Sequence, residues 1–163
     1  MRVSFSLLLS ALLMGSPTIL LAQSGQAEGQ YSSHVVSADT AEMADGSMAL
    51  MFRGVQSTFA DNEDHPLDNQ RADCVGHLRI SADGSDTSGS GACFSKDADL
   101  DGVSYWWVVE EGGTEACPGL CGSFAYYGGY GKYEGMSGDG SWHRTDIIGD
   151  LSTGTWESSY SIP

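Results

Sequence analysis

The sequence predicts an all-β domain, a sandwich or a barrel, built of short strands. Three observations carry this expectation. Runs with alternating apolar and polar residues recur along the chain, each about as long as one strand. The 22 glycines fall between and within these runs, where turns and sheet corners need them. No segment has the apolar stripe of an amphipathic helix. The best candidate, SADTAEMADGSMALM (residues 37–51), has Gly46 inside it and only Ala41, Met43 and Ala44 as a weak stripe, so one helical turn at most is expected.

Residues 1–22 read as an export signal. Arg2 supplies a positive start, residues 5–14 are apolar but too short to span a membrane, and Gly15, Ser16 and Pro17 break the segment. Cleavage after Ala22 is expected, with Ala27 as a second point. The remaining chain, residues 23–163, suits one domain with one core. Residues 23–30 are small and polar and read as a flexible arm; residues 31–163 are the expected folded domain.

Strands follow in order. MALMFRGVQSTF (48–59) alternates. DNEDHPLDNQ (61–70) is polar, contains a proline and reads as an exposed loop. ADCVGHLRIS (72–81) is a strand with Cys74, Leu78 and Ile80 on one face and His77 and Arg79 on the other. Asp83–Gly84 is a hairpin signal, since a two-residue turn of this kind needs positive φ. GACFSK (91–96) and VSYWWVVEE (103–111) are the next two strands. Residues 123–142 alternate strand with glycine turn, and STGTWESSYSI (152–162) is the last strand.

Without Arg2 the chain keeps six basic residues against 22 acidic ones, a formal charge of −16. Such a surface repels nucleic acid and anionic lipid and keeps the protein soluble. No nucleic-acid partner and no membrane insertion are expected. The four cysteines, in an exported chain, read as disulfides. Three pairings are open. CPGLC can close a small ring between Cys117 and Cys121, and a turn at Asp83–Gly84 sets Cys74 opposite Cys93. A two-residue turn would make Cys74 and Cys93 a hydrogen-bonded pair, the less usual site for a cross-strand bridge, and a longer loop would shift the register. A zinc site is a poor fit to these spacings.

KDADLDGVSYWW (96–107) opens like a calcium-binding EF-hand loop: Asp97, Asp99 and Asp101 alternate and Gly102 follows. The twelfth loop position is Val108 instead of a bidentate glutamate, and both flanks are β-formers. The segment therefore reads as an exposed strand connection, with the three aspartates as a weak candidate calcium site.

YYGGYGKYEGMSGDGSW (126–142) interleaves glycines with Tyr126, Tyr127, Tyr130, Tyr133 and Trp142. It misses a dinucleotide-binding fingerprint, because Glu134 stands where the third glycine belongs. The stretch GGYGKYEGMSGDGSW (128–142) resembles the G-G-T-G-K-[FY]-x-G-x-x-G-x-G-x-[WY] signature of small exported bacterial proteins with an allene oxide cyclase-like barrel, relatives of the dirigent-type barrels. A cysteine strand, the aspartate loop and an aromatic strand precede it in matching order. Tyr130 replaces the family threonine, and Leu100 interrupts the D-A-D-G-D pattern. The likeness runs from Cys74 to the C-terminus. It implies a single closed antiparallel barrel of about eight strands, with room inside for side chains or one small ligand. It does not imply cyclase activity, because that enzyme's catalytic residues have no counterpart here.

Candidate lining residues are Tyr105, Trp107, Phe124, Tyr126, Tyr133 and Trp142. No catalytic residue and no cofactor are assigned. His34, His65, His77 and His143 lie in no metal-ligand spacing, and no G-x-S-x-G elbow occurs. Three functions follow, in descending order: a module binding a small apolar or aromatic molecule, a structural envelope or secreted protein with a filled core, and a cyclase or isomerase acting on a lipid-like substrate.

Overall fold

The computed structural model describes residues 22–62, 65–110, 117 and 119–163. The expected export signal, apart from Ala22, lies outside them. Eight strands run in chain order: β1 (Gln23–Glu42), β2 (Met48–Ala60), β3 (Gln70–Ile80), β4 (Thr87–Lys96), β5 (Gly102–Glu110), β6 (Cys121–Tyr130), β7 (Ser137–Ile148) and β8 (Leu151–Ile162). Each pairs antiparallel with its sequence neighbours, and β8 returns to β1, closing a single barrel. The only helical element among the described residues is a 3-10 turn at Gly131–Tyr133. No helix among them is long and apolar enough to cross a membrane.

The first correction concerns residues 23–30. They are not a loose arm: Gln23 through His34 pair with β8, from Ile162 to Leu151. The segment is polar because every second side chain faces water, while Ala27, Gly29 and Tyr31 face inward. β1 then runs past the barrel wall. Residues 37–42 pair only with β2, so this hairpin extends beyond one rim.

The second correction concerns the DNEDHPLDNQ loop. Leu67 and Gln70 are buried, and the loop folds across one end of the barrel. Tyr133, Met136 and Val103 pack with Leu67 in the same core. This closed end carries the β2–β3, β4–β5 and β6–β7 connections. The opposite end carries β1–β2, β3–β4, β5–β6 and β7–β8.

Three bulges bend the wall. The register shifts between Val35 and Ser37 in β1, between Ser104 and Tyr105 where β5 meets β6, and between Arg144 and Asp146 in β7. An extra residue twists and curves a strand. At the β5–β6 shift the extra residue is Tyr127, which is exposed, while Tyr126 stays inside.

Both disulfides form, Cys74–Cys93 and Cys117–Cys121, as suits an oxidising compartment. Of the three pairings left open, the one formed sets Cys74 opposite Cys93, although the hairpin loop has six residues, 81–86. Ser81 N–H donates to the Asp86 carbonyl, which makes 81:86 a hydrogen-bonded pair. Cys74:Cys93, an odd number of steps away, is then a non-hydrogen-bonded pair, with Cα atoms 4.1 Å apart. The longer loop changed the hydrogen-bond phase and left the register intact.

Candidate functional site: an aromatic cavity open at one rim

The inner face of the barrel is set by strand alternation. On β5, Tyr105 and Trp107 point in and Trp106 points out; on β6, Phe124 and Tyr126 point in. Glycines on the neighbouring strands make room for these rings. A Cβ on Gly91 would lie 2.4 Å from Cζ2 of Trp107, and one on Gly76 would lie 2.5 Å from it. Phe124 lies over Gly140 and Tyr31 over Gly154 in the same way. The inward glycines are therefore seats for aromatic rings as well as corners.

Between the closed end and the far rim lies a cavity of about 340 Å³. Its walls include Phe52, Tyr105, Trp107, Phe124, Trp142 and Trp156. The rings touch: Phe52 stacks on Trp107 at 5.9 Å, and Tyr105 meets Phe124 edge-on at 6.0 Å. The cavity opens at the rim that bears the β7–β8 turn, where Val35, Ile147, Gly149, Asp150 and Leu151 line it.

Few polar groups interrupt this lining. Gln56 Nε2 donates to the Tyr105 hydroxyl at 3.3 Å. Tyr126 and Ser158 hydroxyls lie 3.4 Å apart. Burial raises the Tyr105 hydroxyl well above its ordinary range, and raises Tyr126 to about 12. Burial also raises the Tyr31 hydroxyl to about 12, with the Arg144 charge and the Ser152 hydroxyl opposing. These phenols stay protonated at neutral pH. Trp142 Nε1 is buried with no hydrogen-bond partner.

Of the six residues expected to line the interior, five do: Tyr105, Trp107, Phe124, Tyr126 and Trp142. Tyr133 does not. It is fully buried in the closed end, where its hydroxyl accepts from Gln70 Nε2 at 3.0 Å. Gln70 Oε1 in turn accepts from the Ser95 hydroxyl at 2.5 Å. Sequence reasoning missed Tyr31, Phe52, Arg144 and Trp156. The in-phase run Gly154, Trp156, Ser158, Tyr160 in β8 was a usable signal for Trp156.

The aspartate loop connects β4 to β5 as expected, but it is not wholly exposed. Asp97 Oδ1 accepts from the N–H groups of Asp99 and Asp101. Its Oδ2 meets Lys132 Nζ at 2.6 Å, and its side chain is 9% exposed against 80% for Asp99. Asp101 packs over Gly131, where a Cβ would come within 1.8 Å of Oδ1. The three carboxylates do not converge, and no group of three or more metal-ligating side chains occurs among the described residues.

No family model and no curated protein matches the sequence. Among solved structures, the chain is similar to the pterocarpan synthase dirigent protein GePTS1, with a TM-score of 0.46 and 8% identity over 86% of this chain and 84% of that one. That likeness transfers no residue role to this chain.

Proposed function

We propose that this chain is an exported barrel, of the allene oxide cyclase-like and dirigent-like kind, that binds one small apolar or aromatic molecule in its cavity. The cavity itself carries the reading. Its volume of about 340 Å³ falls at the low end of the roughly 300–1,000 Å³ of small-molecule sites, and an apolar wall with a few placed polar groups is the usual composition. A structural barrel needs no such space. Here the side chains fill the closed end and leave the aromatic half open. The glycine–aromatic signature of residues 128–142 supports the family reading, and the two disulfides support export.

Binding is favoured over cyclisation by the cavity's titratable groups. The inner tyrosines are weak acids held protonated by burial, and His34 and Asp150 stand at the rim. Among the described residues that line the cavity, His34 and Asp150 are the only imidazole and carboxyl, and neither stands among the inner rings to move a proton at a buried substrate. Native mass spectrometry of protein purified from its own host tests the reading. A single co-purifying molecule, released on unfolding, is the expected result. A mass equal to the bare chain, together with no quenching of tryptophan emission by apolar aromatic probes, would refute it and favour the structural role.

A further inference from the structure

We propose that the cavity ligand is a carboxylate with an apolar body, its head group held by Arg144 with the hydroxyls of Tyr31 and Ser152. This rests on the ligand-binding reading above and names the ligand class.

Arg144 is unlike the other basic residues. Arg53, Arg71, Arg79, Lys96 and Lys132 are all exposed, whereas Arg144 is half-buried. It follows Gly138, Gly140 and Trp142 on the inner face of β7, opposite Gly154 of β8, and it lines the cavity. Among the described residues no carboxylate lies within 4 Å of its guanidinium; the ion pairs there belong to Arg79 and Lys132. Asp150 lines the same rim without reaching it. A half-buried cation with no counter-charge among the described residues, in a chain with 22 acidic residues, is placed for a partner that the wall itself does not supply.

Two neutral donors stand beside it. Tyr31 is buried and pairs with Gly154 of β8, which Arg144 flanks from β7, and Ser152 stands two residues before Gly154 on the same face; all three side chains line the cavity. Guanidinium plus two hydroxyls suits the planar, two-oxygen acceptor of a carboxylate. The surroundings select the rest of the molecule. Trp107, Phe124 and Trp142 lie further along the cavity, and Ile147 and Leu151 form an apolar rim above it. A small hydrated anion would lose its water to apolar walls on both sides, whereas an amphiphile fills them.

The test uses the oxidised chain without residues 1–22. Tryptophan emission is titrated with naphthalene-2-carboxylate against its neutral isostere naphthalene-2-carboxamide, and with decanoate against decanamide. At least one carboxylate should bind about tenfold or more tightly than its amide, the scale of one charge-assisted hydrogen bond. Arg144→Gln should bring that ratio near one while leaving amide binding and thermal midpoint little changed. Arg144→Lys should keep part of the preference, and this variant serves if the glutamine variant does not fold. Equal binding of acid and amide by the unaltered protein would overturn the carboxylate inference and leave the cavity reading standing. Binding of neither pair would overturn both.

Discussion

The Tyr133 hydroxyl lies 3.1 Å from Asp97 Oδ2, joining two segments that stand 36 positions apart in sequence. Lys132, its neighbour, reaches the same oxygen. The Gly-Lys-Tyr of the glycine-rich segment is thus a clamp on the aspartate loop. Gly131 takes the left-handed conformation, φ 63°, and starts the turn that delivers both side chains. The same phenol accepts from Gln70 Nε2, and its one O–H is shared between the Pro66 carbonyl and Asp97, so one residue ties three connections across the closed end.

Tyr133→Phe therefore removes the phenol from this junction, while Asp97 Oδ2 keeps Lys132 and Gln70 Nε2 keeps the Pro66 carbonyl at 3.4 Å. A loss of about 1 kcal/mol is expected, the usual net worth of a hydrogen bond whose groups keep other partners. Urea unfolding checks it. A change within a few tenths of a kcal/mol would mean that water replaces the phenol, contrary to a sealed end.

The clamp also bears on calcium. Asp97 Oδ2 already faces an ammonium, and Asp101 is turned onto Gly131, so a cation must displace Lys132 to use the loop. Any affinity should be ~10⁻⁴ M or weaker, and 1 mM calcium should then add at most ~1.4 kcal/mol. Thermal melts with calcium and with chelator give the answer. A rise above about 10 °C, more than that free energy gives a domain of this size, would establish a structural site.

These contacts show what the sequence could and could not announce. Strands β2 to β6 and β8 were legible because alternation and glycine punctuation are local, whereas residues 143–148 of β7 carry no such pattern. β1 was not, because its inner positions are Ala27, Gly29 and Tyr31 and its outer ones polar. Such a run says strand only once β8 and β2 flank it. The inner aromatics of β5 and β6 were legible from alternation, since Trp106 and Trp107 must take opposite faces. Tyr133 was misplaced because its direction depends on the 3-10 turn at Gly131 and not on strand parity. Arg144 was silent because an arginine ending a strand usually faces water. Only the barrel's closure puts it over a cavity.

The two bridges should differ in worth. Cys74 and Cys93 stand 19 positions apart, Cys117 and Cys121 only four. Loop-closure entropy predicts about 3 kcal/mol for the first and about 2 for the second. Paired serine substitutions with chemical unfolding test the order. Alkylation of exported protein without reductant should label no cysteine.

Glycine seats predict an unusual cost for a small change. Gly91→Ala puts a methyl 2.4 Å from the Trp107 ring and 2.3 Å from the Val75 carbonyl. The ring must move or the wall must open, and overpacking of this kind costs about 1–3 kcal/mol. Because Trp107 lines the cavity, the substitution should also shift tryptophan emission and weaken any apolar probe. Stability lost with probe binding intact would separate the seat from the site.

His65 predicts the acid limit of the fold. Its Nδ1 accepts from Leu67 N–H at 3.1 Å, so the neutral ring carries its proton on Nε2, which is buried without a partner. The ring packs edge-on to Tyr160 at 5.1 Å. Burial holds its pKa below the ordinary histidine value, with Asp68 opposing. The unfolded chain, with a histidine pKa of about 6.5, therefore binds the proton first. Stability from this group is complete above that value and falls as pH drops below it, levelling off once the folded ring also protonates. Urea midpoints should decline from pH ~7.5 to ~5, before most carboxylates titrate. His65→Gln should flatten that decline. A variant with the same slope as the unaltered protein would place the acid sensitivity elsewhere in the fold.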